Sequence, residues 1–313
     1  MVQKVILIGF GHLGKWHAQK ASELEESQLV AVVDPEPTTQ EKLKDMGVNC
    51  PLYKSLAEVN IEFDSALVVT PTSFHFQICK ELIQAGKHVF CEKPMTSTHE
   101  EALKIKSLVK ENDVIFQVGH SERFHSIWER VRERNDFLGG TPLFQLNRQA
   151  PFKGRATDVD VVQDLMIHDI DLLLFLFNEV PTSVKAWGKK MRTHTWDFVQ
   201  AQFSFSSGAM ATIQSGRNHH EEVRELNILN DCGTLHVDLY KKEFKLALSG
   251  DPDGRVSCDS YEPRDHLLEE QKAFYQAISR REKAIVDVED GRKAVYFVDK
   301  VLQSLESRVE VKC

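Results

Sequence analysis

Close to its first residue the chain reads Lys4-Val-Ile-Leu-Ile-Gly-Phe-Gly-His-Leu-Gly14, an apolar run that ends in a glycine-rich turn. A short β-rich run closed by glycine predicts a buried parallel strand. The three glycines have separate expected tasks. Gly9 permits the tight turn into a helix, Gly11 lets a phosphate approach the backbone, and Gly14 lets helix and strand pack closely.

The alternation of strand and helix continues over about the first 120 residues. Further strands are expected over residues 28–34, 64–70, 87–91 and 114–119, with helices between them. This order predicts a doubly wound parallel sheet, the Rossmann architecture. From residue 183 to 248 the pattern is mostly strands, which predicts an α+β domain with a largely antiparallel open sheet. We therefore expect a dinucleotide-binding domain over residues 1–120 and a substrate-binding and oligomerisation domain over 121–313.

The bulk composition limits the class of protein. A chain of 313 residues with 42% hydrophobic and 27% charged side chains is typical of a two-domain globular protein. Its formal net charge of −8 argues against a nucleic-acid partner. No apolar run approaches the roughly 20 residues of a membrane span, and the apolar start is not expected to be a signal peptide. The six cysteines lack a metal-like spacing and indicate reduced thiols in a cytoplasmic protein.

No metal ion is expected. His194, His219 and His220 form neither an HExxH pattern nor a compact ligand set with the cysteines. We interpret His219 and His220 as two histidines at a strand end without a special role.

The glycine-rich turn predicts a dinucleotide site. Its expected cofactor contacts are Gly9, Phe10, Gly11, His12, Leu13 and Gly14, with the pyrophosphate at the N-terminus of the next helix. Asp34 stands twenty residues after Gly14, at the end of the second strand. A carboxylate there accepts hydrogen bonds from the adenosine ribose hydroxyls and repels a 2′-phosphate. Since residues 35–39 contain no basic side chain, NAD is expected rather than NADP.

The end of the third strand is expected at the same edge of the sheet. Thr70, Pro71 and His75 follow it, where a doubly wound sheet opens its ligand crevice. They either contact the nicotinamide side of the cofactor or form a plain turn in which Thr72 or Ser73 caps the following helix.

A lysine follows the fourth strand in Glu92-Lys93-Pro94. We assign both Glu92 and Lys93 to the cofactor site. Lys93 can also donate to a substrate hydroxyl and stabilise an alkoxide as a hydride leaves. Pro94 favours a cis peptide that aims the lysine. The alternative is a solvated surface lysine.

A helix expected over residues 159–177 is apolar apart from one stripe. Asp160, Asp164, His168 and Asp171 fall within an arc of about 80° on that helix. Buried charges need a cavity, a partner or a substrate, so we interpret the stripe as part of a site. The alternative is a polar stripe that meets solvent at a domain rim. His168 can exchange a proton with a hydroxyl, and Asp164 can orient His168 or bind substrate.

The chain resembles the Gfo/Idh/MocA family of NAD(P)-dependent oxidoreductases over essentially its whole length. The resemblance rests on the glycines from Gly9 to Gly14, on Glu92-Lys93-Pro94, and on Asp164 with His168. It implies that Lys93 is the catalytic lysine and that Asp164 and His168 form the acid/base pair. It also implies a small-molecule sugar substrate and a homodimer or homotetramer.

Two stretches resemble one branch of that family: Gly119-His-Ser-Glu-Arg-Phe124 and residues 155–171. Members of this branch oxidise C3 of UDP-N-acetylglucosamine for lipid A synthesis, and the resemblance implies the same reaction here. A diphosphate would need local cations, and the candidates are Arg123, Arg148, Lys153, Arg155 and Arg217. Each of them can instead be a rim charge. Two alternative functions stay open: an inositol or free-sugar dehydrogenase, and a non-catalytic NAD-binding regulator.

Overall fold

A computed structural model describes residues 2–154 and 159–313, and the chain forms two compact units. The first unit ends at Phe124 and takes up Asp265–Val295 as well. The second unit contains His125–Arg264 and Tyr296–Cys313. The expected single boundary after residue 120 does not include this return of the chain to the first unit.

The first unit is built on a parallel sheet. Its strands are β1 (Gln3–Ile8), β2 (Ser27–Val33), β3 (Leu52–Tyr53), β4 (Ser65–Val68), β5 (His88–Glu92) and β6 (Phe116–Gly119). Its first four helices are α1 (His12–Glu23), α2 (Thr39–Asp45), α3 (Thr72–Gln84) and α4 (His99–Asn112). In the described residues the strand order is β3-β2-β1-β4-β5-β6, with every neighbouring pair parallel. The predicted doubly wound sheet is confirmed.

The apolar run of β1 is continuous because both faces of the sheet are covered. Successive side chains of a strand point to opposite faces. Ile6 and Ile8 lie in the hydrophobic core on one face, and Val5 and Leu7 lie in the core on the other. All four are at most 3% exposed.

The second unit begins with short helices. These are α5 (Ile127–Arg132) and α6 (Asn135–Leu138). They are separate because Arg134 leaves the helical region, with a ψ of 63°. The guanidinium of Arg134 binds the Asp136 carboxylate and stacks on Phe137, which fixes this corner.

A large open sheet forms the rest of the second unit. Its strands are β7 (Leu143–Gln149), β8 (Ser183–Lys189), β9 (Phe198–Ser204), β10 (Met210–Gly216), β11 (Val223–Asn230), β12 (Gly233–Asp238), β13 (Glu243–Leu248), β14 (Val256–Ser260) and β15 (Val311–Lys312). Their order over the described residues is β14-β13-β12-β11-β7-β10-β9-β8-β15. Within the described part of the chain, only β7 and β10 of this sheet pair in parallel, so the predicted, largely antiparallel sheet is confirmed.

One helix of the second unit carries the predicted acidic stripe. It consists of a π-helical turn, Val162–Met166, that continues into α7 (Ile167–Leu176). Two further helices follow the sheet, α8 (His266–Arg280) and α9 (Val288–Ser307). Within the described ranges, no helix is both long enough and apolar enough to cross a bilayer.

Apolar packing explains why residues 265–295 belong to the first unit. Phe274 and Tyr275 of α8 are fully buried in the core that contains Val5 and Leu7. The ring of Phe274 meets that of Phe90 edge-on at 6.0 Å.

Candidate active site

The glycine-rich turn has the close contacts that a bare backbone allows. A side chain at Gly9, which has a φ of +94°, would lie 2.6 Å from the carbonyl oxygen of Val69. A Cβ at Gly14 would lie 2.2 Å from the carbonyl oxygen of Gly9. A Cβ at Gly11 would meet nothing within 4 Å. The turn therefore leaves open space at the one glycine that the sequence assigns to the pyrophosphate.

The N-terminus of α1 suits an anion. Gly11 is the N-cap and offers no side chain to the first-turn amides, and the first turn contains no acidic residue. His12 and Leu13 are exposed beside it. Unsatisfied amides and the positive end of the helix dipole favour a phosphate at such a place. These residues fit the pyrophosphate of a dinucleotide.

Asp34 lies where the sequence predicts, directly after β2. Its Oδ2 accepts a hydrogen bond from the backbone N–H of Phe10 at 2.6 Å. Its Oδ1 accepts from the N–H of Glu36 at 2.9 Å and from the hydroxyl of Thr39 at 3.2 Å. The carboxylate thus joins the glycine-rich turn to the segment after β2, and it is half-buried.

The segment after β4 contains one residue that faces inward. His75 is 1% exposed, and its two ring nitrogens lie 2.8 Å from the carbonyl oxygens of Thr70 and Pro94. Burial lowers the pKa of His75, although both carbonyl contacts oppose the shift. His75 therefore connects the segments that follow β4 and β5.

The neighbouring Thr70 keeps the expected position. Its Oγ1 is buried and has no hydrogen-bond partner among the described residues. An orphaned hydroxyl at this edge fits a polar ligand. Pro71 is exposed and is the N-cap of α3, which begins at Thr72 without any side-chain cap. The predicted cap by Thr72 or Ser73 is therefore wrong.

Lys93 follows β5 and is half-buried. Its backbone N–H donates to Oε2 of Glu92 at 3.1 Å, and the Lys93–Pro94 peptide is cis. Glu92 itself is 7% exposed, so it holds the backbone of Lys93 from the interior of the first unit.

The acidic stripe of the second unit is divided by the π-helical turn. Asp160 lies before the helix, and its Oδ1 accepts from the N–H groups of Val162 and Gln163, each at 2.9 Å. Burial raises the pKa of Asp160, and the charge of Asp164 adds to that shift. Asp164 lies within the π turn and His168 in the first turn of α7, both half-buried. π turns are frequent at functional sites.

Two of the predicted substrate arginines are held by buried carboxylates. Arg148 is 5% exposed and binds Asp169, with Nε 3.0 Å from Oδ2 and Nη2 2.9 Å from Oδ1. Arg217 is 6% exposed and binds Oδ1 of Asp197 at 2.8 Å through Nε. Its Nη1 donates to the carbonyl oxygen of Val159 at 2.8 Å. Arg217 thus supports the backbone that leads into the acidic helix.

Hydrogen bonds keep Asp197 ionised. Burial alone would raise the pKa of this carboxyl group. Donors from the backbone of Thr193 and Met191 and from Arg217 outweigh burial and hold the pKa well below its usual range.

The other predicted cations differ in their surroundings. Arg123 binds Asp290 of the first unit, with Nη1 3.3 Å from Oδ2. Lys153 is exposed and binds Glu222. Arg155 lies outside the described residues.

Sequence reasoning missed Arg224. Arg224 of β11 is paired with Arg148 of β7 across the antiparallel ladder. Both line one small pocket together with Lys153, Asp164 and Arg217. Nothing in the sequence around Arg224 indicates this, because the pairing joins strands that are distant along the chain.

Two polar clusters among the described residues have the composition of metal ligands. One contains His17, Glu92 and Glu270, and the other contains Glu225, His236 and Asp238. In the second cluster the Nζ of Lys241 already lies 3.2 Å from Asp238 Oδ2. His219 and His220 belong to neither cluster and stack on each other at 4.0 Å.

Comparison with known proteins gives matches over both units. Residues 3–120 match the model of an oxidoreductase family with an NAD-binding Rossmann fold, and residues 132–236 match the GFO/IDH/MocA C-terminal domain. UDP-N-acetylglucosamine 3-dehydrogenase from Acidithiobacillus ferrooxidans is 30% identical, with 96% of each chain covered. Its solved structure superimposes with a TM-score of 0.89 over 98% of this chain and 99% of that one.

Inositol dehydrogenases are similar as well. Myo-inositol 2-dehydrogenase from Thermotoga maritima is 25% identical, with 99% of this chain and 98% of that protein covered. Scyllo-inositol dehydrogenase from Lactobacillus casei, solved with NAD(H) and scyllo-inositol, is 22% identical and has a TM-score of 0.85 over 100% of this chain and 99% of that one. At that identity the latter match shows the shared fold.

Proposed function

Because the chain belongs to the Gfo/Idh/MocA family and is an NAD-dependent oxidoreductase that acts on a CH–OH group, we propose its substrate and the roles of its residues. The substrate is UDP-N-acetylglucosamine, and the product is the 3-keto nucleotide sugar. Such a ketone is the precursor that a 3-amino sugar of lipid A requires. The enzyme is a homodimer or homotetramer in this proposal.

The chemistry needs one hydride acceptor, one proton acceptor and one group that stabilises the alkoxide. NAD, when bound, accepts the hydride from C3. The Lys93 ammonium donates a hydrogen bond to the C3 oxygen and stabilises its negative charge, and His168 accepts the hydroxyl proton. Asp164 orients His168 or binds a neighbouring hydroxyl. The C3–H and O–H bonds break as the C=O bond forms.

One observation supports the nucleotide sugar over a neutral polyol: Arg148 and Arg224 face each other across β7 and β11 in the pocket that Asp164 lines. Like charges directly opposite each other destabilise a sheet, so a site with two such arginines favours an anion. A diphosphate supplies that anion, and a guanidinium can donate two parallel hydrogen bonds to it. Arg224, the more exposed of the pair, is the side chain that we assign to the diphosphate.

A second candidate substrate is an uncharged polyol such as myo-inositol. Its support is that Asp169 and Asp197 already balance the charges of Arg148 and Arg217. The similarity to myo-inositol 2-dehydrogenase agrees with this candidate.

The test is NADH formation with UDP-N-acetylglucosamine, free N-acetylglucosamine and myo-inositol. We expect turnover with the nucleotide sugar, and we expect Arg224→Ala to raise its KM at least about 10-fold, the effect of losing a charged hydrogen bond. Arg255→Ala is the matched control, because Arg255 is exposed and binds Asp251 and Asp253. Turnover of myo-inositol alone would replace the nucleotide sugar with the polyol. Binding of NAD without turnover of any of the three would favour the regulator.

A further inference from the structure

A buried polar cluster lies behind the Lys93 loop within the first unit. His17 of α1 is fully buried, and its Nε2 lies 2.8 Å from Oε1 of Glu92. The other carboxylate oxygen of Glu92 accepts the backbone N–H of Lys93. Glu92 is therefore bonded on one side to the helix that follows the glycine-rich turn, and on the other side to the backbone of the lysine.

The partner of His17 on its other side assigns the position of its proton. Gln271 of α8 places its Nε2 2.9 Å from His17 Nδ1 and 3.2 Å from the carbonyl oxygen of His17. An amide N–H group donates, so Nδ1 accepts and the neutral ring carries its proton on Nε2. The opposite orientation of the amide would bring Gln271 Oε1 against that carbonyl oxygen, with two acceptors in contact.

The hydrogen bonds therefore run in one direction. The Tyr275 hydroxyl lies 3.4 Å from Gln271 Oε1, Gln271 donates to His17, and His17 donates to Glu92. Gly119 of β6 leaves room for the Glu92 carboxylate, because a Cβ at Gly119 would lie 2.8 Å from Oε1 of Glu92. A metal ion does not suit this cluster, since His17 Nε2 keeps its proton and has no lone pair for a cation.

We propose that His17 is a positioning residue that holds the Glu92 carboxylate, and through it the backbone of Lys93, in the geometry that catalysis requires. The inference rests on the proposed catalytic role of Lys93. A small displacement of a catalytic group lowers the rate by a large factor. A residue that contacts Glu92 can therefore control turnover without touching the substrate.

The same polar cluster contains a second buried acid. Glu270 of α8 is fully buried, and neither of its carboxylate oxygens has a hydrogen-bond partner among the described residues. Burial raises the pKa of Glu270 well above its usual range, and the charges of Glu92, Asp265 and Glu122 add to the shift. Burial without a hydrogen-bond partner therefore favours the neutral form of Glu270.

The pKa of Glu92 is shifted in the opposite direction. Burial alone would raise its pKa, but the hydrogen bond from His17 and then the charge and N–H of Lys93 outweigh burial and lower it. Among the described residues, the charged and titratable groups that interact with Glu92 include His17, Lys93, Glu270, His75 of α3 and Cys91 of β5. Loss of the His17 N–H should therefore raise the pKa of Glu92 and allow it to take up a proton.

The experiment compares His17→Leu with His17→Gln, whose amide can again donate to Glu92. The rates are measured with NAD and UDP-N-acetylglucosamine, or with myo-inositol if that is the sugar oxidised. We expect His17→Leu to lower kcat by about 10- to 100-fold while the KM for NAD changes little. The acid limb of its kcat–pH profile should move to higher pH, and His17→Gln should restore most of kcat and the original limb.

Phe274→Leu is the control for a general loss of stability, since Phe274 lies in the same buried layer against Phe90 and donates no hydrogen bond. It should lower the free energy of unfolding without moving the pH profile. Equal pH profiles for His17→Leu and the wild type would overturn the inference.

Lys93→Met separates the two proposals. If Lys93→Met stays active, the role proposed for the lysine is wrong. If it loses at least about 100-fold in kcat while His17→Leu is unaffected, only the positioning role fails. NMR of the His17 ring nitrogens needs no substrate at all: a proton on Nε2 supports the proposal, and a proton on Nδ1 alone contradicts it.

Discussion

At the scale of single residues, Asp34 combines a structural task with recognition. Each of its carboxylate oxygens accepts at least one protein hydrogen bond, from Phe10 on one side and Glu36 on the other. Oδ1 accepts from both Glu36 and Thr39, so the further lone pair with which a ribose hydroxyl of NAD can bind is on Oδ2. The nearest acid along the chain, Glu36, adds to the repulsion of a 2′-phosphate.

Asp34→Ala should therefore narrow the preference for NAD over NADP. Loss of charge-assisted hydrogen bonds should weaken NAD binding by about 10-fold or more, while NADP loses a repulsion and changes less. Calorimetry with both cofactors measures the two dissociation constants. Asp34→Asn is the matched control, because it keeps the shape, removes the charge and replaces one acceptor oxygen with an NH2 donor. A wild-type protein that binds NADP as tightly as NAD would contradict the role of Asp34.

The arginines show where prediction from sequence stops at this scale. Arg148 and Arg217 were candidates for a diphosphate because arginine suits that anion. Their buried partners, Asp169 and Asp197, stand 21 and 20 residues away along the chain. The first pair depends on how β7 meets the acidic helix, and the second depends on the register of β9 and β10. No local pattern contains that information.

At the scale of elements, the turn between β1 and α1 contains one glycine that the packing requires and one that we expect NAD binding to require. The Gly14 position has no room for a methyl group because of the carbonyl oxygen of Gly9, whereas the Gly11 position is open. The two glycines are three residues apart and should respond differently to the same substitution.

Gly14→Ala should lower the free energy of unfolding by about 1–3 kcal/mol, the usual cost of overpacking, because α1 must move away from β1. Gly11→Ala should leave stability nearly unchanged and weaken NAD at least about 10-fold, since its methyl group occupies the approach of the pyrophosphate. Chemical denaturation and NAD titration of the two variants provide the comparison. If Gly11→Ala bound NAD normally, the pyrophosphate would have to lie elsewhere.

The elements of the first unit were predictable because their signals are local. Strands buried on both faces give continuous apolar runs, and helices such as α4 have a capping residue, Thr98, whose hydroxyl accepts from Glu101 N–H. The π turn before α7 was not predictable. It lies inside an apolar run whose periodicity indicates a regular helix, and nothing in that periodicity indicates the wider turn.

Helix α8 contains Glu270, whose ionisation should make the free energy of unfolding depend on pH. The folded pKa of Glu270 is raised above its ordinary value of 4.5, so the folded state holds a proton that the unfolded state releases. The free energy of unfolding should therefore fall as pH rises above about 4.5, by up to about 1.4 kcal/mol per pH unit, until Glu270 ionises in the folded state.

Glu270→Gln removes that proton and should remove the fall with it. The variant and the wild type should be similar in stability near pH 4.5, and the variant should become the more stable as pH rises. Denaturation midpoints over a pH series measure the difference. Parallel stability curves would mean that Glu270 ionises in the folded protein as readily as in the unfolded one.

At the scale of the whole molecule, the chain divides close to where its pattern changes, but that is not its only division. The sequence changes from alternating strand and helix to mostly strands after residue 120, yet residues 265–295 return to the first unit. The helical periodicity of α8 shows that it has an apolar face but not which core covers that face. The destination of α8 is a long-range fact that a single sequence does not contain.

The return of the chain makes the first unit dependent on its distant segment. Without residues 265–295, the core around Val5 and Leu7 loses Phe274, Tyr275 and Ile278. The edge strand β6 loses the hydrogen bond from the N–H of Val118 to the carbonyl oxygen of Val286. Deletion of a single buried aromatic ring typically costs about 3–5 kcal/mol, and a domain is stable by only about 5–15 kcal/mol.

A polypeptide of residues 1–124 alone should therefore fail to fold cooperatively and fail to bind NAD. The same residues joined by a short glycine–serine linker to residues 265–295 should fold and bind NAD, since α8 packs against Ser121–Phe124 at the end of the first segment. Circular dichroism on heating and NAD titration compare the two polypeptides. The linked polypeptide with Phe274→Ala is the internal control and should fall between them. Cooperative unfolding of residues 1–124 by themselves would show that α8 covers a core that is already complete.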